Sequence, residues 1–251
     1  MLQIAQLDKK PEIFYSIQGE GKSIGKPSIF IRLSLCNLYC FWCDTDYTWN
    51  WEGTNYPHLN DKNPNYQKFN KADSIIKLTE KQIIAEIQKY NCHRLIFTGG
   101  EPLVQQKKLL SLLAQLKKQN PQYHIEFETN GTIIPIPELE ALTNQYNVSL
   151  KLENSKVRLQ ERLKPKAIHF FAQNDKANFK FVVDSPKDLD EILEIIQKYA
   201  IFHDKVYLMP QGTKPAILRK KQQWLVEICK QYQFNYTDRL HILIYGDKRG
   251  I

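Results

Sequence analysis

The run Ser28-Ile29-Phe30-Ile31-Arg32-Leu33-Ser34-Leu35-Cys36-Asn37-Leu38-Tyr39-Cys40-Phe41-Trp42-Cys43 decides how the rest of the chain is read. Its first half is apolar and β-branched, as in a buried strand, with Arg32 an unusual charge inside it. Its second half packs three of the five cysteines into eight residues. Three close thiolates suit a metal. A closed zinc site needs four ligands, usually as two paired clusters. Three cysteines holding a four-iron cluster instead leave one iron open to a ligand that is not protein. The spacing alone leaves open a zinc site completed by a distant histidine. Cys92, beside a predicted strand, and Cys229, on a predicted helix, read as small buried apolar residues.

A chain of 251 residues with 42% apolar content fits one large domain, 1–251, able to bury a sizeable core. No apolar run reaches membrane-spanning length, and Met1 to Asp8 lacks the residue order of a signal peptide. A cytoplasmic protein with no membrane partner is expected, and the odd cysteine count suits a reducing compartment. Lys plus Arg exceed Asp plus Glu by 35 to 27, a net charge of +8. Such a charge raises nucleic acid or anionic small molecules as partners. The basic pairs Lys107-Lys108, Lys117-Lys118 and Lys220-Lys221 are scattered over predicted helices and read as solvated surface, so no direct nucleic-acid contact is expected.

Outward from the cysteines, Glu12 to Ile17 reads as an edge strand leading into the glycine-rich turn Gln18-Gly19-Glu20-Gly21. From Asp44 to about Asp73 the chain is polar, turn-rich and studded with aromatics, which predicts an insertion (about 49–75) or lid over the active site. Thr79-Glu80-Lys81-Gln82 forms a capping box for a helix ending near Tyr90. Strand-like runs then recur at Arg94–Phe97, His124–Glu128, Val148–Leu152, Asn178–Val183 and Lys205–Met209. Helical patterns intervene around Leu109 to Leu116 and at Pro137–Tyr146, Ser185–Tyr199 and Ala216–Tyr232. A last strand is expected at Leu240–Tyr245, within a C-terminal strand and tail (234–251) that closes the active site. Counting the cysteine-bearing strand gives six βα repeats and a parallel sheet, an α/β fold of the partial (β/α)6 barrel type.

In such folds ligands bind at the C-terminal ends of the strands, where the loops converge. The cysteines follow the first strand, Thr98-Gly99-Gly100-Glu101-Pro102 the second and Glu128-Thr129-Asn130-Gly131 the third. Ser149-Leu150-Lys151 lies along the fourth, and Met209-Pro210-Gln211-Gly212 follows the sixth. Together they predict one polar pocket beside the cysteines.

The C-x3-C-x2-C spacing with Thr98 to Pro102 resembles the radical S-adenosylmethionine (SAM) superfamily. Ile17-Gln18-Gly19-Glu20-Gly21, Cys43-Asp44-Thr45 and the ending Arg239-Leu240-His241 to Gly250-Ile251 narrow the resemblance to the 7-carboxy-7-deazaguanine synthases, over most of the chain except about Trp49 to Ile75. It implies a [4Fe-4S] cluster on Cys36, Cys40 and Cys43, its free iron chelated by SAM. SAM contacts are implied for Phe41, Trp42 and Cys43, for Gly99, Gly100 and Glu101, and for Ser149 and Lys151. Leu150 stands where the family has a proline. Met209, Pro210, Gln211 and Gly212 would pack around the adenosine. The implied substrate is 6-carboxy-5,6,7,8-tetrahydropterin, held by Ile17, Gln18, Gly19, Glu20, Arg32, Thr98 and the terminal carboxylate of Ile251. Mg2+ would sit on Thr45. Radical chemistry at C6, ring contraction and ammonia loss would yield 7-carboxy-7-deazaguanine, on the way to queuosine-type deazapurines. Flavodoxin or ferredoxin as electron donor and a homodimer are further implications. The rival readings are a radical SAM activase, which needs an open peptide groove, and a zinc or RNA-binding module, which predicts colourless protein with salt-dependent RNA binding.

Overall fold

The computed structural model describes residues 1–251. β1 (Leu2–Leu7) turns through Asp8 and Lys9 into β2 (Lys10–Pro11), followed by β3 (Ile13–Ile17) and the cysteine-bearing β4 (Pro27–Leu33). Beyond the cysteines come a short α1 (Lys71–Ser74) and β5 (Ile75–Leu78). The repeats follow as α2 (Glu80–Ile87), β6 (Arg94–Gly99), α3 (Gln106–Gln119), β7 (His124–Thr129), α4 (Pro137–Leu142) and β8 (Gln145–Val148). They continue with α5 (Leu159–Arg162), α6 (Pro165–Ala172), β9 (Ala177–Val183), α7 (Asp188–Tyr199), β10 (Val206–Pro210) and α8 (Pro215–Tyr232). The two-residue β11 (Asn235–Tyr236) and α9 (Leu240–Tyr245) end the chain.

β4, β6, β7, β8, β9 and β10 lie side by side in sequence order, every pair parallel, with helices in each connection. This is the expected six-repeat α/β architecture, and its sheet is an open arc: β11 ends one side, while β3 pairs antiparallel with β4 and β5 with β1 on the other. The alternation along each strand explains the two surfaces of the arc. Ile29, Ile31, Leu95, Phe97, Ile125, Phe127, Phe179 and Phe181 belong to a 42-residue apolar core. The residues between them, Arg32, Thr98, Glu126, Glu128, Asn147 and Lys180, carry the polar groups of the inner surface. Cys229 packs buried within the core, as expected, whereas Cys92 is only partly buried and packs against it.

Several boundaries differ from the sequence reading. Leu240–Tyr245 is a helix, not a strand: only Ile242 is buried, so there is no two-residue alternation, and the Leu240 N–H donates to the Gly19 carbonyl at 2.9 Å instead of joining a sheet edge. The helix expected to reach Tyr146 stops at Leu142, and Gln145 and Asn147, polar but buried, belong to β8. Ser149-Leu150-Lys151 therefore lies beyond its strand, not along it. α7 starts at Asp188 rather than at Ser185, because the Asp188 carboxylate accepts from the Asp184 and Ser185 N–H groups. The Thr79–Gln82 capping box is present.

Candidate active site

The inner surface of the arc forms one cavity of about 260 Å³. At its floor Glu126 accepts from Ser23 and Asn147, at 2.9 and 2.6 Å, and pairs with Arg94 at 2.8 Å, which plugs the N-terminal ends of the strands. Above this layer Lys180 lies between two carboxylates, Glu20 at 2.6 Å and Glu128 at 2.9 Å. Gln18 donates to Glu128 at 2.9 Å, and the Glu20 N–H donates back to the Gln18 side-chain oxygen at 3.2 Å. Arg239, from the segment before α9, links Glu20 at 3.1 Å with Asp44 beside the cysteines. Burial alone would raise the Glu20 carboxyl, but Lys180 and Arg239 outweigh it and hold Glu20 well below the carboxylate range. Glu128 moves the other way, because its burial and the nearby Glu126 outweigh Lys180.

A second wall is built on Glu12, which is 2% exposed. It takes Arg32 Nε at 2.9 Å, Arg249 at 2.8 Å and the Tyr47 hydroxyl at 3.2 Å. The Arg249 guanidinium lies over the Tyr47 ring, 3.4 Å from its centroid, and so fixes the C-terminal tail. Both terminal nitrogens of Arg32 remain for a ligand.

Of the residues implied for the site, Ile17, Gln18, Gly19, Glu20, Arg32, Thr98 and Ile251 line this cavity together with Cys36, Cys40, Cys43 and Thr45. Trp42, Gly99, Gly100, Ser149, Lys151, Met209, Gln211 and Gly212 line it as well. Three do not. Phe41 faces Lys156, whose ammonium sits 3.6 Å from its ring centroid. Pro210 is buried at the end of β10. Glu101 is fully buried, accepting from the N–H groups of Leu103 and Asn130 and from the Thr129 hydroxyl, so it fixes loops rather than facing a ligand. The glycines also have a packing role. A Cβ on Gly99 would lie 1.9 Å from the Leu33 carbonyl oxygen and one on Gly100 2.0 Å from that of Leu35. Their small size lets this loop press against the end of β4.

The tract 49–75 packs against the cysteine loop; within it only Trp49 lines the cavity. The Leu59 N–H donates to the Phe41 carbonyl at 2.7 Å, and His58 Nε2 bonds the Cys43 carbonyl at 2.9 Å. Tyr56 stacks on Tyr39 with centroids 3.7 Å apart.

The donor set fits an iron–sulfur cluster. All three thiols are free and open into one cavity. No three His, Cys, Asp or Glu side chains gather closely enough to hold a single ion, which counts against a closed zinc site. Burial pushes the Cys36 thiol up, and burial with Asp44 beside it takes Cys43 to about 12, so iron binding must displace their protons. Lys151 donates to Ser149 at 2.9 Å at the same mouth. Six cationic side chains against four acidic ones and the terminal carboxylate of Ile251 line the cavity, a balance that favours anionic ligands.

Sequence reasoning missed Lys180, Glu128 as an inward carboxylate, Glu12, Arg239 as a bridge, Asp44 and Arg249. The signal was there for the first two: in His124-Ile-Glu-Phe-Glu and Asn178-Phe-Lys-Phe, charges alternate with fully buried apolar residues, so they must point into the arc. Nothing local marks the others, which meet across more than 150 residues of chain.

The family model described as a 4Fe-4S single cluster domain matches residues 17–166. The 7-carboxy-7-deazaguanine synthase of Pyrobaculum aerophilum is 32% identical, with 95% of each chain covered. That of Rhodopirellula baltica is 33% identical over 95% of this chain and 87% of its own, and that of Halobacterium salinarum 32% identical over 94% and 90%. The crystal structure of QueE from Escherichia coli superposes with a TM-score of 0.62 at 25% identity, covering 92% of both chains. With its cysteine triplet opening into the cavity of a six-repeat arc, the chain belongs to the 7-carboxy-7-deazaguanine synthase family of radical SAM enzymes.

Proposed function

We propose that this protein converts 6-carboxy-5,6,7,8-tetrahydropterin to 7-carboxy-7-deazaguanine, with ring contraction and loss of ammonia, in deazapurine biosynthesis of the queuosine type. The observation that carries the substrate is Arg32. Its Nε is committed to Glu12, its two terminal nitrogens bond no protein group, and the residue lines the cavity that holds the cysteines. That fork matches a carboxylate in two parallel hydrogen bonds. Thr98 pairs with Arg32 in the β4–β6 register and adds a hydroxyl at the same height. Gln18, the backbone of Ile17 and Gly19, and Glu20 form the polar edge that a pterin ring requires, and the terminal carboxylate of Ile251 completes the rim.

The bound cluster and SAM supply the one-electron chemistry. The chain's part is to hold them and to exclude water. Cys36, Cys40 and Cys43 take the cluster. Gly99, Gly100, Ser149 and Lys151, with the backbone from Phe41 to Cys43 and the Met209 to Gly212 segment, take SAM. The Thr45 hydroxyl would offer Mg2+ one protein oxygen, as suits an ion that takes few protein ligands, and the ion would supply charge stabilisation at the substrate carboxylate. Asp44 is tied to Arg239 and is not free for this. A flavodoxin or ferredoxin donor suits the +8 charge. Homodimerisation and a cytoplasmic setting complete the proposal by family resemblance.

Binding tests the substrate assignment. In the iron-loaded protein with SAM, Arg32→Gln weakens 6-carboxytetrahydropterin by roughly ten- to hundredfold, the value of a charge-assisted pair. It leaves a tetrahydropterin lacking the carboxylate unaffected. Equal weakening of both ligands, or no change for either, contradicts the assignment.

A further inference from the structure

We propose that the outer face of the cysteine loop, built by Phe41, Leu59 and Leu159 with Lys156 and Lys164 on its rim, is the docking surface for an acidic carrier protein of the flavin or iron–sulfur class that supplies the cluster's electron. Its role rests on the functional reading above, because a docking surface needs a cluster to feed. The loop has two sides. Cys36, Leu38, Cys40, Trp42 and Cys43 line the cavity, whereas Tyr39 and Phe41 do not. Phe41 stands between two cluster ligands, yet its ring centroid lies 3.6 Å from the ammonium of the exposed Lys156. Its N–H donates to the Ser155 carbonyl at 2.9 Å and its carbonyl accepts from the Leu59 N–H at 2.7 Å, so both flanking segments are tied to it. Val157 is buried against Leu38 and Cys40, which leaves its neighbours Lys156 and Arg158 outside. SAM and the pterin take up the cavity side in the working enzyme. An electron that enters without displacing them comes through the outer face.

The composition of this face selects the partner. Leu59 is 44% exposed, Leu159 58% and Tyr56, stacked on Tyr39, 45%. Large apolar side chains left this open around one loop mark an interaction site. Residues 156–166 add five cations against a single carboxylate, Glu161. Arg162 is buried on Glu191 and Arg158 pairs with Glu161, so Lys156, Lys164 and Lys166 stay unmatched and exposed. At the opposite margin Asp61 and Lys62 cancel. An apolar centre with a cationic rim suits a brief encounter with an acidic surface, in which charge steers the approach and sets the on-rate. Electron-transfer complexes are of this small, weak kind. One electron leaves the reduced carrier and enters the oxidised cluster, and no bond or proton changes partner.

The test compares two electron donors on the iron-loaded protein. The double variant Lys156→Glu with Lys164→Glu reverses two exposed charges and alters no cavity residue. In anaerobic stopped flow at low salt, reduced flavodoxin, an acidic flavin carrier, reduces its cluster about ten- to hundredfold more slowly than that of the wild type. Dithionite, which needs no docking surface, reduces both at the same rate. Lys118→Glu with Lys198→Glu changes the net charge equally in the last turns of α3 and α7 and leaves the flavodoxin rate nearly unchanged. Equal slowing in the two double variants, an unchanged flavodoxin rate in the first, or an equal loss with dithionite overturns the proposal. Should the first variant lose its iron, carbodiimide crosslinking of the wild-type holoenzyme to flavodoxin decides. Bonds from Lys156 or Lys164 to flavodoxin carboxylates are expected. Crosslinks from other lysines only, or between two copies of this chain through Lys156 and Lys164, overturn the proposal. A wild-type cluster that dithionite reduces and neither flavodoxin nor ferredoxin does overturns it while the functional reading stands; a wild-type chain that assembles no cluster overturns both.

Discussion

At the residue scale, Lys180 shows how the chemistry is held. It lies 7% exposed between Glu20 and Glu128, and burial, which would lower its pKa, is outweighed by the two carboxylates. Its removal leaves Glu128 without a cation and Glu20 with Arg239 alone. Lys180→Met is predicted to cost about 3–5 kcal/mol in denaturant unfolding, the penalty for breaking a buried pair. Adding Glu128→Gln should restore most of it, because one surplus charge then disappears; a double variant no more stable than the single contradicts this account. The residue was readable as charge alternation in a buried strand, whereas its pairing with Glu20, 160 positions away, was not. Cys36, Cys40, Cys43, Arg32 and Gln18 were legible because each sits inside a short motif whose chemistry is local.

At the element scale, the strand ends were less legible than the strands. β8 is hidden because Gln145 and Asn147 are polar and buried, paired with Ser23 and Glu126 rather than with water. α9 was misread because Ile242, Leu243 and Ile244 have strand-like composition, and only docking against the Gly19 turn reveals its geometry. That docking is testable. A Cβ at Gly19 would lie 2.1 Å from His241 Nδ1 and 2.9 Å from the His241 N, so Gly19→Ala should displace α9 and weaken pterin affinity by at least tenfold. The contact of β6 with β4 gives a sharper contrast. Gly99 has a φ of +120°, and an added Cβ would lie 1.9 Å from backbone, whereas Gly25, with a φ of +83°, has nothing within 4 Å. Gly99→Ala should destabilise by more than about 4 kcal/mol and Gly25→Ala by about 1–2. Equal thermal shifts for the two would refute the close approach. His124, opening β7, carries a pH signature. Burial and then Arg94 lower its pKa from 6.5 to about 4, and its Nε2 is buried without a partner. The unfolded chain takes the proton first, so stability falls as pH drops from 6.5 to about 4. His124→Gln should flatten that slope in urea titrations across this range.

At the scale of the whole molecule, six βα repeats were countable from alternating patterns because each repeat buries its own apolar face. The open edge of the arc and the packing of the 49–75 tract were not, since both depend on contacts between distant segments such as β1 with β5. No helix is long and apolar enough to cross a membrane. The net charge of +8 looked like solvated surface, and most of it is, but the cavity keeps a cationic excess of its own. The account joins the cysteines, the SAM mouth and the Arg32 fork into one site acting on one substrate. Its most direct test is anaerobic turnover of the iron-reconstituted protein with dithionite, SAM, Mg2+ and 6-carboxy-5,6,7,8-tetrahydropterin, with products read by mass spectrometry. The account predicts 7-carboxy-7-deazaguanine from the wild-type chain and none from Cys40→Ala; SAM cleavage without that product would contradict it.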